Sequence, residues 1–217
     1  STGNAGINPA VNFLGTTDNQ PLEFRVNGTR GLRLQPAGNG TVHVIGGHSV
    51  NVVSGSNGGT IAGGGDAGTI NQVTDSFGSV GGGRSNTAGY EAVVAGGSAN
   101  TASGFQSVVP GGSFNVAAGQ GSFAAGSRAQ ANHEGSFVWG DKSFGANFAS
   151  TAANQFLIRA AGGVGIGKNN PATALDVAGT VTATSFTGNG SGLTGISAAN
   201  VTSGTVPAAA LGNAWKS

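Results

Sequence analysis

A short phrase recurs along the middle of this chain: an aliphatic residue, a small residue, then glycine. It reads Val44-Ile45-Gly46, Ile61-Ala62-Gly63, Val80-Gly81-Gly82, Val94-Ala95-Gly96 and Val109-Pro110-Gly111, and fades into Ala124-Ala125-Gly126 and Val138-Trp139-Gly140. From Gly82 the spacings to Gly96, Gly111, Gly126 and Gly140 are 14, 15, 15 and 14 residues. A fixed period of this length marks stacked structural units. At ~3.3 Å per extended residue it accommodates two short strands and two turns per coil. Val80, Val94, Val109 and Val138 are then expected as one inward column. Asn86, Asn100 and Asn115 each fall three residues after a second glycine. Glycine and asparagine both tolerate positive φ, so these residues are expected at the tight turns, with the asparagines stacked as a ladder. The first two units, around Gly46 and Gly63, are spaced 17 and 19 residues from the next, so irregular loops are expected there.

Composition supports β structure over the alternatives. Glycine is 43 of 217 residues. Each costs roughly 1 kcal/mol inside a helix, and few ten-residue stretches lack one. Collagen is excluded, because glycine is not at every third position and proline is only 6. Leu, Ile, Val and Phe total 46 residues, a thin supply for a core. A lone chain would struggle to offset its chain entropy, so burial shared between subunits is expected. Net charge is +1 and charged residues stand singly, which suggests neither a nucleic-acid surface nor an acidic tail. Cysteine is absent, which fits an oxidising exterior. Nothing in the chain reads as a signal peptide or membrane span, so no membrane insertion by this segment is expected.

Residues 19–36 read as a β-hairpin: Leu22, Phe24 and Val26 alternate with Glu23 and Arg25, Asn27-Gly28 turns, and Leu32 and Leu34 flank Arg33. A second hairpin is expected at 156–167, with Ala161-Gly162-Gly163 as its turn. Stacked repeats need atypical end units, and the two hairpins bracket the array as caps; the alternative is two unrelated surface hairpins. The division is an N-terminal cap at 1–36, repeats at 37–148, a second cap at 149–179 and an extended segment at 180–217.

Over about residues 42–145 the array resembles the head repeat of trimeric autotransporter adhesins, the YadA-like head, in its period and small-residue signature. The resemblance implies a left-handed parallel β-roll, intertwined as a homotrimeric extracellular fibre on a bacterial surface. Gly-Gly replaces the usual Ser-x-Ala-x-Gly in several units. Phe186 through Ile196, Asn200 through Pro207, and the stretch with Gly163-Val164-Gly165-Ile166-Gly167 are similar to phage tail-fibre segments. That likeness implies a slender trimeric stalk on a virion, with 180–217 extended and interwound or poorly ordered.

Candidate chemistry is sparse. Gly63-Gly64-Gly65-Asp66-Ala67-Gly68 matches G-x-G-x-x-G, but 43 glycines make that match expected by chance. Carboxylates do not recur with the period, as a calcium-binding roll requires. His43 is the one candidate for metal binding, as three imidazoles on a trimer axis; a packed or exposed histidine is the default. No nucleophile–base pair is evident, so neither enzyme activity nor a cofactor is expected. Phe77, Tyr90, Phe105, Phe114, Phe123, Phe137 and Trp139 are the bulky aromatics of the array. They suit inter-subunit packing, or a host-surface glycan or protein receptor. The expected function is multivalent adhesion by a trimeric fibre; the alternative is a passive spacer whose binding tip lies elsewhere.

Overall fold

A computed structural model describes residues 12–185, together with Gly6, Asn8, Ala10, Thr187 and Gly188. The chain is an all-β solenoid of about nine stacked turns. Each regular coil places one two-residue strand in each of two sheets, with a turn at either side. One sheet has ten strands and the other seven. Within the coils every pairing is parallel and in register: Val80 opposes Val94, Val94 opposes Val109, and on the other sheet Ala88 opposes Ala102 and Ala102 opposes Ala117.

The core is one row from each sheet. Ile45, Ile61, Val80, Val94, Val109, Ala124 and Val138 line one side; Val53, Val73, Ala88, Ala102, Ala117 and Ala131 line the other. The expected valine column is therefore present, and each of its four members is fully buried. A buried valine contributes roughly 1.5–3 kcal/mol. With one such valine and one alanine per regular coil, buried hydrogen bonds must carry much of the interior.

Asparagines meet that need. Asn51, Asn71, Asn86, Asn100 and Asn115 are all buried. The amide Nδ2 of Asn86 donates to the Gly82 carbonyl of its own coil at 2.8 Å and to Gly97 of the next at 2.9 Å. Its Oδ1 accepts the backbone N–H of Asn100 at 3.1 Å. Asn100 and Asn115 repeat the pattern. The ladder is thus built from side chain to backbone, not from amide to amide.

The turns differ from expectation in one respect. Positive φ falls on the residue before three of the asparagines, Ser85 at 53°, Ala99 at 55° and Phe114 at 58°, and on Arg128 at 56°, before Ala129 at the next ladder position. The asparagine is needed inside the coil, so its neighbour takes the left-handed backbone. Glycine is required one corner earlier. Gly83, Gly97 and Gly112 have φ of 77°, 92° and 89°, and a Cβ there would overlap the carbonyl of the next coil's Gly97, Gly112 or Gly126.

That contact also corrects the glycine column. The first glycines, Gly82, Gly96 and Gly111, accept the asparagine amide of their own coil. Gly126 instead accepts from Asn115 of the preceding coil and from the Ser113 N–H, the role Gly112 plays one coil earlier. Gly140 follows Gly126 by accepting the Ser127 N–H. One residue has dropped out of this corner, so Gly126 and Gly140 continue the second glycine column. The irregular loop expected early in the array lies at Asp66–Thr69, where the two backbones bond each other at 3.2 and 3.4 Å.

Residues 19–36 form the expected hairpin. Leu22–Val26 and Thr29–Pro36 pair antiparallel around Asn27 (φ 49°) and Gly28 (φ 75°), and the second strand lies antiparallel on Val42–Gly46. The second expected hairpin does not form. Phe156–Arg159 instead adds a parallel strand to Phe137–Gly140, and Val164–Ile166 pairs in parallel with Leu175–Val177. Phe156 stacks on Phe137 at 4.6 Å and Leu157 packs against the core, so this segment behaves as one more coil. The extended segment expected at 180–217 lies for the most part outside the described residues.

Candidate functional site

The parallel register turns single residues into rows. Inward residues alternate with outward ones along each strand. On the outside of the ten-stranded sheet, Leu22 opposes Leu34, Leu34 opposes Val44, and the row continues through Thr60, Ser79, Val93, Val108, Phe123 and Phe137 to Phe156. It crosses all ten strands without a charged residue. Phe123 and Phe137 stack at 4.7 Å. A flanking row ends in Ala125, Trp139 and Ile158, with Trp139 and Ile158 exposed.

The hairpin is inverted relative to an ordinary surface hairpin on a roll. Arg33 opposes Ile45 and Gln35 opposes His43, so these polar residues lie on the face that continues the coil interior. Glu23, opposite Arg33, shares that face; its carboxylate meets Arg25 at 2.6 Å and Arg33 at 3.6 Å. The hydrogen bond from Arg25 is the main reason its acidity is strengthened. The apolar side of the hairpin, carrying Leu22, Phe24, Leu32 and Leu34, faces outward instead.

The seven-stranded sheet presents a different exterior. Its outward row runs Val52, Gln72, Thr87, Thr101, Val116 and Gln130, a mixture of polar and small apolar groups. Charges collect at the corners. Arg128 lies over the Phe114 ring at 4.8 Å, and Gln106 bonds Glu91 at 3.0 Å. Tyr90 and Phe105 stack at 5.2 Å at the same corner as Glu91 and Gln106. The aromatics thus divide between a sheet face and the corners, where the sequence treated them as one class.

His43 is enclosed by its own coil. It is 3% exposed, inside the first coil, and its Nδ1 accepts the Gly59 N–H at 3.0 Å. A side chain at Gly59 would instead run into the core valines Val53 and Val73. Burial lowers the basicity of the imidazole, opposed by the ring's hydrogen bond to the Gly55 backbone. A ring enclosed by its own coil is not presented to a neighbouring chain. No group of three or more His, Asp or Glu side chains comes together to hold a metal among the described residues.

One nucleophile–base contact escaped the sequence, because its members are 17 residues apart: the Ser150 hydroxyl lies 2.8 Å from His133 Nδ1. Ser150 is 4% exposed, and its oxygen also accepts the backbone N–H groups of Asn132 and His133. That oxygen holds the chain at a coil corner. A stack repeat would have found it, since Ser150 follows Ala131 in the inward row.

The other polar candidates are also tied down locally. Asp66 Oδ1 accepts the Gly68 N–H, which lowers its pKa, so the glycine-rich stretch closes on itself as a turn with no helix behind it. Asp141 is lowered chiefly by the Ala161 N–H, and Asp176 by the Ala172 N–H and then by Lys168 at 2.7 Å. Among the described residues no helix is long and apolar enough to cross a membrane.

No protein-family model matches the chain, and no characterised protein sequence or solved structure matches it either. The fold defines the class: a parallel β-solenoid with a ladder-bonded interior.

Proposed function

We propose that this chain is a segment of a homotrimeric, extracellular surface fibre, with each chain a left-handed roll capped by the 19–36 hairpin, that displays a binding surface multivalently. The observation that carries the reading is the uninterrupted stack. Hydrogen bonds run coil to coil from Asn51 to Ala129, which gives a rod with repeated faces instead of a cleft. Three identical faces on a rod convert weak contacts into avidity when they engage together. A host glycan or protein is the partner class, and the exposed corner aromatics Phe77, Tyr90 and Phe114 are the contact candidates.

The plain exterior of the seven-stranded sheet, with Thr87, Thr101 and Ser103, favours a second reading as a passive spacer. Light scattering tests the fibre reading: a mass three times 20.8 kDa is expected, and a folded monomer overturns it. A glycan and cell-surface binding screen separates the two readings. Binding lost on replacing Tyr90 and Phe114 supports adhesion; no binding supports the spacer.

A further inference from the structure

We infer that the outward face of the ten-stranded sheet, hairpin included, is the surface buried between copies of this chain, and that the seven-stranded sheet faces solvent. The inference rests on the self-association proposed above and assigns its face.

The inverted hairpin is the first support. A hairpin closing the end of a lone roll would turn its apolar residues toward the open core. Here Arg33 and Glu23 take that side, and Leu34 and Leu22 join the external row through Val44. The apolar side of the hairpin therefore shares whatever covers the coils. Length is the second support. Ten strands at about 4.8 Å give a row of roughly 43 Å. A strip that long and about 10 Å wide is roughly 430 Å², in the range of patches on monomers (about 300–600 Å²) that are often functional.

The occupant follows from spacing and charge. The row is a ridge whose side chains repeat once per coil; the Phe123, Phe137 and Phe156 rings follow at 4.7 and 4.6 Å. A partner that stays in register over the whole row needs the same axial repeat. A second copy has it, and rotation about an axis parallel to the stack keeps every coil level with its equivalent. The row also lacks charge, so it offers nothing to an anionic or cationic polymer. Its apolar bulk grows from Thr60 and Ser79 to Phe123, Phe137 and Phe156, so the grip between copies is strongest at the later coils.

The chain contains no cysteine, so single cysteines report on one position at a time. Val93 is 38% exposed in the single chain and Thr87 is half-buried. In the assembled full chain, Val93→Cys is expected to react with a maleimide an order of magnitude more slowly than Thr87→Cys. The same or faster reaction at Val93→Cys overturns the assignment. Independently, Phe137→Glu is expected to reduce the light-scattering mass to 20.8 kDa with the β-sheet circular dichroism retained, whereas Thr101→Glu leaves the mass unchanged. Dissociation by Thr101→Glu and not by Phe137→Glu overturns the face and spares the oligomer. A monomeric parent chain overturns the fibre reading itself.

Discussion

Asn115 Oδ1 accepts the backbone N–H of Ala129 at 2.9 Å, and there the asparagine ladder stops. Every earlier asparagine both accepts from the coil after it and donates across the corner. The interior is thus held by amides wherever the side-chain core is only valine and alanine.

Asn100→Ala tests this. It removes the acceptor for the Asn115 N–H and the donor to the Gly96 and Gly112 carbonyls, all inside the coil. Orphaned buried groups cost about 1–3 kcal/mol each, so a loss of roughly 3 kcal/mol is expected. Denaturant unfolding measures it. Asn132→Ala, at an exposed position, serves as the control and is expected to change stability by less than about 0.5 kcal/mol.

Adjacent glycines are expected to differ sharply. Gly97 has φ of 92° and its Cβ would strike Gly112, whereas a Cβ on Gly96 meets nothing nearer than 4.0 Å. Gly97→Ala should cost about 3 kcal/mol or more, from backbone strain plus overlap. Gly96→Ala should stay within about 1 kcal/mol of the parent. Equal losses on thermal unfolding would contradict the coil-to-coil packing described for this corner.

His43 gives a pH dependence. Its folded pKa is depressed by burial, so the unfolded chain takes up a proton first as pH falls. The contribution of the neutral ring is complete above the ordinary imidazole value of about 6.5 and is lost as pH falls through the folded value. Unfolding midpoints should drop on that descent in the parent chain, and the drop should shrink in His43→Leu. Glu23, Asp66, Asp141 and Asp176 are also depressed, but as carboxylates they act at lower pH.

Ser150 should be inert toward serine-directed fluorophosphonate probes, because its oxygen is buried and saturated by Asn132, His133 and the imidazole. Ser150→Ala is expected to lower stability by about 1–2 kcal/mol. Stoichiometric labelling at Ser150 would instead revive hydrolytic chemistry.

Much of the solenoid was legible because its period is written in small residues. Val80, Val94 and Val109 repeat at one strand position, and nothing else in the chain competes for it. Asn27-Gly28 likewise dictated a turn through local backbone preference. Phe156–Arg159 misled because strand alternation is the same whether the neighbour is the next segment or the previous coil. Asn71 escaped because the loop at Asp66–Thr69 sets it eight residues from Gly63, and Asn51 because it lies five residues from Gly46, where the regular coils use four. The long apolar row was invisible for a different reason. It joins antiparallel hairpin strands to parallel coils, and only the register of Leu34 on Val44 connects the two.

The ladder has a consequence for how such a chain can change size. Each asparagine asks the coil beyond it for one N–H and one carbonyl, and every regular coil supplies both. Duplicating or deleting a whole unit between Asn71 and Asn115 therefore leaves both faces of the cut chemically alike. Length becomes a quantity that can be set in steps of about 4.8 Å, one strand spacing at a time, with the ends untouched.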